Sequence, residues 1–163
     1  MIITLKPAYP KGTTAEDQRE KLREEFREIV VARSESNWKE LASEYLDLAQ
    51  VAIGLLEIEY NEKWTANIKR LISIVNQREK EIYDVAGECF YRVCTSRLKS
   101  DVEALIDICI CCFVSLVMKN DRGSKKIRKE LIEQFIDQHQ QKLASRREEW
   151  GKCTAQDVGK KSI

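Results

Sequence analysis

Glu24, Glu25 and Glu28 stand in the run EEFRE, and after fifteen further residues Glu44 and Asp47 stand in EYLD. Residues three apart share one face of a helix, with Cβ atoms about 5–6 Å apart. Glu25 and Glu28 therefore make one pair of carboxylates, and Glu44 and Asp47 make a second. If two helices carry the pairs across a short turn, four oxygen-donor groups converge. Carboxylates that close together repel, and some take up protons. A divalent cation resolves the conflict. Magnesium is hard, takes oxygen ligands, keeps several waters and is commonly shared between carboxylates and substrate phosphates. The competing reading is two solvated acidic faces, since a chain with 34% charged residues repeats such spacings by accident.

The pairs need helices to hold them, and the pattern supplies these. Pro7 and Pro10 keep residues 1–13 extended. Thr14, with Asp17 three residues on, reads as the cap of a first helix. Leu22, Phe26, Ile29 and Val30 form its apolar stripe. Ser36 or Asn37 caps a second helix, with Glu40 three after Asn37. Leu41, Tyr45, Leu48, Ala52, Leu55 and Leu56 follow at helical spacing to about Glu62. Trp38 and Tyr45 lie on the helices where a base could bind, but their spacing suits core packing better. A third segment spans about 65–97, with Ile68, Leu71, Ile72, Val75, Ile82 and Val85 inward and Gly87 as a bend. SDVE, Ser100 to Glu103, reads as a capping box for a fourth helix to Met118. NDRGS turns the chain into a fifth helix over about 125–148, with Ile127, Leu131, Phe135 and Leu143 on one face. The expected fold is an all-α antiparallel bundle of four or five helices in one domain, 1–163, with a flexible tail over 151–163.

Composition narrows the partners. Six glycines and two prolines in 163 residues favour helix throughout. A net charge of +1 gives no general attraction to nucleic acid. The short basic clusters DRGSKKIRK and KLASRR are flanked by acids, so nucleic acid is the weaker partner reading. The run ALIDICICCFVSLVM is interrupted by Asp107 and falls short of the roughly 20 residues a bilayer span needs. The first residues carry no signal-peptide pattern. Cys89, Cys94, Cys109, Cys111, Cys112 and Cys153 read as small hydrophobes in a reduced, cytoplasmic protein. Neighbours one and two apart on a helix diverge, so Cys109, Cys111 and Cys112 make a poor soft-metal site.

EEFRE followed by EYLD resembles the EExxE and ExxD signature of the all-α nucleoside triphosphate pyrophosphatases, which include MazG-like proteins and dimeric dUTPases. The resemblance covers about residues 15–60. HQQKLASR, His139 to Arg146, resembles the HxxKLxxR segment near the end of small phage-type members, although Arg147 stands where those carry Gly and Trp150 comes late. The resemblance implies Mg2+-dependent hydrolysis, with Mn2+ as the alternative ion, of a nucleoside triphosphate to the monophosphate and pyrophosphate. It implies that Glu25, Glu28, Glu44 and Asp47 hold one to three ions. Glu24, or a carboxylate turned away from the metal, accepts the proton of water. Lys142 and Arg146 meet phosphate. His139, the single histidine, either touches phosphate or base or stands at the surface or a helix end, the reading its sequence favours. It also implies a homodimer or homotetramer.

The chain further suggests an internal repeat. A shift of sixty residues lays Glu28 on Glu88, Asp47 on Asp107 and Glu24 on Asp84, while Glu25 and Glu44 fall on Val85 and Ala104. The second copy would then be a structural and substrate-holding half without the full ligand set. The alternative function is a non-catalytic helical bundle that binds a protein partner.

Overall fold

The computed structural model describes residues 2–3, 5–64, 66–67, 71 and 81–159, and side chains within 5–64, 71 and 81–150. The described residues form five helices: α1 (Ala15–Ser34), α2 (Trp38–Tyr60), α3 (Ile82–Thr95), α4 (Lys99–Asn120) and α5 (Lys125–Gly159). One short ribbon accompanies them. β1 (Ile2–Ile3) pairs antiparallel with β2 (Ala66–Asn67), Ile2 opposite Asn67 and Ile3 opposite Ala66. The all-helical bundle expected from composition is the fold. Ile68, Ile72 and Val75, expected to face inward, lie outside the described residues.

Local chemistry starts and stops most helices where the sequence marks them. Thr14 and Asp17 form a reciprocal capping box at α1. The Asn37 side chain accepts from Glu40 N at 3.3 Å at the start of α2. Asn61 ends α2 in the left-handed conformation, φ 53°, and its N–H donates to Glu57 O at 2.9 Å. The fourth helix departs from expectation. It starts at Lys99, so Ser100 lies inside its first turn and caps nothing. The N-cap is Leu98, with no side-chain cap; just before it the Ser96 hydroxyl donates to the carboxylate of Asp101 in the first turn. α5 runs past the expected end at 148 to Gly159.

Two helices carry the core. α2 is buried almost continuously from Leu41 to Leu56, and α4 is buried from Cys109 to Val117. Helices that are apolar on every side belong in the interior. α1 packs on α2, α3 on α4, α2 on α4, and α5 lies against both α2 and α4. Cys89, Cys109, Cys111 and Cys112 are free, buried thiols. Desolvation pushes Cys111 up to about 12, so it stays a neutral hydrophobe. Among the described residues no helix is long and apolar enough to cross a membrane.

The buried face of α1 corrects the expected stripe. Gln18, Leu22, Glu25, Ile29 and Ala32 are the inward positions, an alternating step of four and three. Phe26 falls on the flank, where it stacks on Phe90 at 4.0 Å between ring centroids. Val30 lies one position beyond Ile29 and is 57% exposed. Glu25 therefore sits in the middle of the buried face. On α5, Ile127 is likewise exposed, and Ile132, His139 and Leu143 are the buried positions.

Three of the four helix bounds lie close to the sixty-residue shift, and the start of α1, which would fall on 75, does not match the start at Ile82. Moved by sixty, α2 falls on 98–120 against Lys99–Asn120 observed, and the end of α1 falls on Cys94 against Thr95. The site acids do not follow it. Asp84 and Glu88 are exposed, and Asp107 accepts from Trp64 Nε1 at 2.9 Å.

The capping assignments are tested by urea unfolding. Thr14→Ala should lose about 1 kcal/mol, the usual cost of an N-cap, whereas Ser100→Ala should stay within about 0.5 kcal/mol.

Candidate metal centre

The turn Glu35–Asn37 folds α1 back on α2. Two contacts fix their register: the buried Arg19 pairs with Glu59, and Gln18 Nε2 donates to Val51 O at 3.1 Å. This register lays Glu25 and Glu28 against Glu44. One carboxylate oxygen from each of the three lies within 4.8 Å of the others. Oxygen ligands around one hard cation are separated by at most twice the metal–oxygen distance, about 4–5 Å for Mg2+ or Ca2+. The trio, within 4.8 Å, matches the Ca2+ spacing as it stands, and closing on Mg2+ requires the carboxylates to draw in to about 4.2 Å.

The electrostatics fit as well. Burial, then the charges of Asp47, Glu28 and Glu25, raise Glu44 to about 7. Its Oε2 is buried with no hydrogen-bond partner. Glu25 is 4% exposed, and desolvation raises it, with Lys21 partly offsetting the effect from 3.1 Å. Such a cluster of hard anionic oxygens, one of them orphaned, is a donor set for a hard divalent cation.

Asp47 is brought alongside but not into the trio. It is buried, its Oδ2 accepts from Lys142 Nζ at 2.7 Å, and its Oδ1 lies 3.5 Å from His139 Nδ1. Its negative charge still reaches Glu44 and Glu25. Glu24 points elsewhere. It is exposed and paired with Lys21 at 2.9 Å, which lowers its pKa and makes it a weak proton acceptor. The sequence-based role of Glu24 as base finds no geometric support.

α5 delivers the expected cations. Lys142 meets Asp47, and Arg146 lines a cavity of about 310 Å³ that Glu25 and Asp47 also line. His139 is placed differently from expectation. It is 6% exposed, and burial, with Lys142 and Arg146 nearby, holds it down at about 4 despite the Asp47 charge. At neutral pH it is an uncharged buffer behind Asp47, and it is not part of the cavity wall. Trp38 and Tyr45 belong to the core: Trp38 packs on Phe135 at 6.1 Å and Tyr45 on Tyr83 at 6.0 Å between centroids.

Several site residues were not foreseen. Lys21 bridges Glu24 and Glu25, and its place four residues before Glu25 was a readable signal. Gln50 is 2% exposed within the apolar run LAQVAIGLL, and a polar residue in such a run was the informative exception. The contribution of the N-terminal arm had no local signal, because it depends on where α2 and α5 place their surfaces.

The sign of the Glu44 shift gives a test. A carboxyl whose folded pKa is raised contributes stability below its ordinary 4.5, and that stability is lost as pH rises through about 7. Without divalent cations, Glu44→Gln should therefore melt higher than the wild type at pH 8, and the advantage should vanish as pH falls toward 4.5. Magnesium should raise the melting temperature of the wild type and much less that of the variant. Parallel melting curves across pH, with and without magnesium, would remove the cluster as a cation site.

No family model matches this chain, and neither a curated protein nor a solved structure matches it.

Proposed function

We propose that this chain is a magnesium-dependent nucleoside triphosphate pyrophosphohydrolase of the all-α, MazG-like kind, acting in nucleotide-pool cleaning. The observation that carries the reading is the meeting of Glu25, Glu28 and Glu44 within 4.8 Å. These are three of the four acids that the EExxE and ExxD resemblance marks as ligands, and the fourth, Asp47, borders them.

Glu25, Glu28 and Glu44 would hold the cation, with Asp47 as the adjoining acid. When bound, a divalent cation offsets the charge of a triphosphate and acidifies water. The chain's own groups do the rest. Glu44 Oε2, which has no hydrogen-bond partner, would accept the proton of attacking water while the other oxygen of Glu44 holds the cation. Lys142 and Arg146 supply positive charge for the departing pyrophosphate. Lys142 is bound to Asp47 and half exposed, so it can exchange that partner for phosphate without crossing the core. His139 backs Asp47 and limits its movement. Assembly into a dimer or tetramer belongs to the same proposal. Val30 and Val31, 57% and 54% exposed at the end of α1, supply apolar surface for a second copy.

The test is a panel of nucleoside triphosphates incubated with magnesium, with pyrophosphate release as the readout. Glu44→Gln and Asp47→Asn should each lower turnover by about 100-fold or more while the far-ultraviolet circular dichroism stays unchanged. Lys142→Met should lower it by about 10²-fold. Glu24→Gln, on the exposed side of α1, should stay within about threefold of wild type, in the range of a surface substitution. Full activity in Glu44→Gln would overturn the assignment.

A further inference from the structure

The link between α4 and α5 gathers positive charge as no other stretch of the chain does. Lys119–Lys129 holds six cations, Lys119, Arg122, Lys125, Lys126, Arg128 and Lys129, against one acid, Asp121, for a net charge of +5. The whole chain carries +1, so the remaining residues together carry −4. Folding does not call for such a concentration, because like charges side by side on a helix destabilise it.

The turn that mounts these cations is closed by its own contacts. α4 ends with Asp121 N donating to Val117 O at 3.0 Å, and α5 starts on Ser124, whose hydroxyl accepts from Ile127 N at 3.4 Å. Between them Arg128 Nε donates to Gly123 O at 3.2 Å. Gly123 leaves room for the closure: a Cβ there would lie 2.9 Å from both Asp121 Oδ2 and Ile127 Cγ2.

The flanking acids do not neutralise this tip. Lys119, Arg122, Lys125 and Lys126 are exposed, and none forms an ion pair or side-chain hydrogen bond with a described residue. Asp121 turns Oδ2 inward, where it is buried without a partner. Glu133 is taken by Lys129 at 3.8 Å. Other groups of cations are paired: Lys21 and Arg23 with glutamates of α1, and Lys99 with Glu62 and Glu103.

The tip also projects. Phe135 of α5 packs on Trp38 at the start of α2, and Lys142 meets Asp47 farther along both helices, so α5 runs parallel to α2. Lys125 precedes Phe135 by about 15 Å along the helix axis. The basic turn therefore stands beyond the level at which α2 begins.

Its chemistry selects the partner. Residues 119–129 contain no aromatic ring on which the bases of a single strand could stack. Ile127, 51% exposed, is the one large apolar side chain exposed there, too little for a face that enters a bilayer. The Asn120 amide donates to Leu116 O, and the Ser124 hydroxyl is engaged by Ile127 N, so the tip is poor in groups for the 2′-hydroxyl that marks RNA. What it presents is a set of exposed cations, matched to a duplex that carries one negative charge per about 1.7 Å of axis.

We propose that the α4–α5 tip is a docking surface for the phosphate backbone of double-stranded DNA, held by Lys119, Arg122, Lys125 and Lys126 without reading sequence. Lys125 and Lys142 stand about 25 Å apart along α5, so a docked duplex leaves the acidic trio uncovered. The proposal does not depend on the pyrophosphatase reading.

Fluorescence anisotropy of a labelled DNA duplex of about 20 base pairs, two helical turns, titrated with the full chain, tests it. Four phosphate contacts give a plot of log K against log salt with a slope of about −3.6, a loss of about 100-fold between about 50 and 200 mM salt. Duplexes of unrelated sequence should bind alike. Lys125→Gln combined with Lys126→Gln should make the slope shallower by about 1.8 and weaken low-salt binding by about tenfold or more, with unchanged circular dichroism. Lys63→Gln, at the other end of α4 where Glu62 meets Lys99, should change neither value. A wild-type slope shallower than about −1 would overturn the proposal, as would an unchanged slope in the double variant. So would a slope lost in Arg146→Gln but kept in the double variant, which moves the duplex to the middle of α5. Tighter binding of an RNA duplex of the same length would overturn the choice of DNA. Retention by vesicles of phosphatidylserine and phosphatidylcholine, with no binding of the duplex, would overturn the proposal in favour of an anionic membrane surface.

Discussion

Carboxylates held within 4.8 Å of one another repel, and the arrangement of this bundle is organised around containing that repulsion. Glu25 is on the buried face of α1, so it cannot swing into water as a surface acid would. Glu44 answers by shifting toward the protonated state. Lys21 answers on one side, from four residues upstream on the same helix. Lys142 answers on the other, from α5, through Asp47. The charge is thus balanced in part by cations that stand beside the cluster and not within it. A fold that wanted only stability would place apolar side chains at these positions, because buried ion pairs seldom outperform good packing. Local tension of this kind is where function is most often found.

The rest of the molecule serves as the frame. α2 and α4 are buried on nearly all sides, and α2 carries Glu44, Asp47 and Gln50 at steps of three residues. The second hairpin follows the plan of the first at a shift of sixty residues, yet its acids are exposed or, like Asp107, taken up by a tryptophan. Val85 and Ala104 stand where Glu25 and Glu44 would be, so nothing there needs a cation. Both halves supply apolar mass through α2 and α4, and only the first bears the clustered acids. A bundle built this way can tolerate a strained site because the strain is confined to the surface where α1, α2 and α5 meet.

α5 and the N-terminal arm come from opposite ends of the chain and finish that surface together. Arg147 bonds to the carbonyls of Lys6 and Pro7, while Leu5 is buried beneath them. The cavity next to Glu25 exists only because these two segments meet across α2. Glu25 and Asp47 therefore border a partly apolar cavity, while Glu28 stays exposed to solvent.

Much of this was legible in the residues alone. Helix type follows from the scarcity of glycine and proline, and the ends of α1 and α2 follow from Thr14, Asp17 and Asn37, because capping is a contact between near neighbours in the chain. The pairing of acids three apart is likewise local, as is the helical spacing of Lys142 and Arg146. Local reasoning failed where two local signals competed. Ser100 carries a cap pattern, but the helix already starts at Lys99, which puts Ser100 inside its first turn. Val30 fits an apolar period as well as Ile29 does, and only the crossing of α1 over α2 chose the stripe that buries Glu25 and leaves Val30 in water. The tertiary structure alone decided that Glu24 faces outward, that Asp47 is held by Lys142 from 95 positions away, that His139 is buried and neutral, and that the arm roofs a cavity. The physical reason is that sequence spacing sets which side chains share a face of one helix, whereas the partner a face meets is set by how whole helices pack.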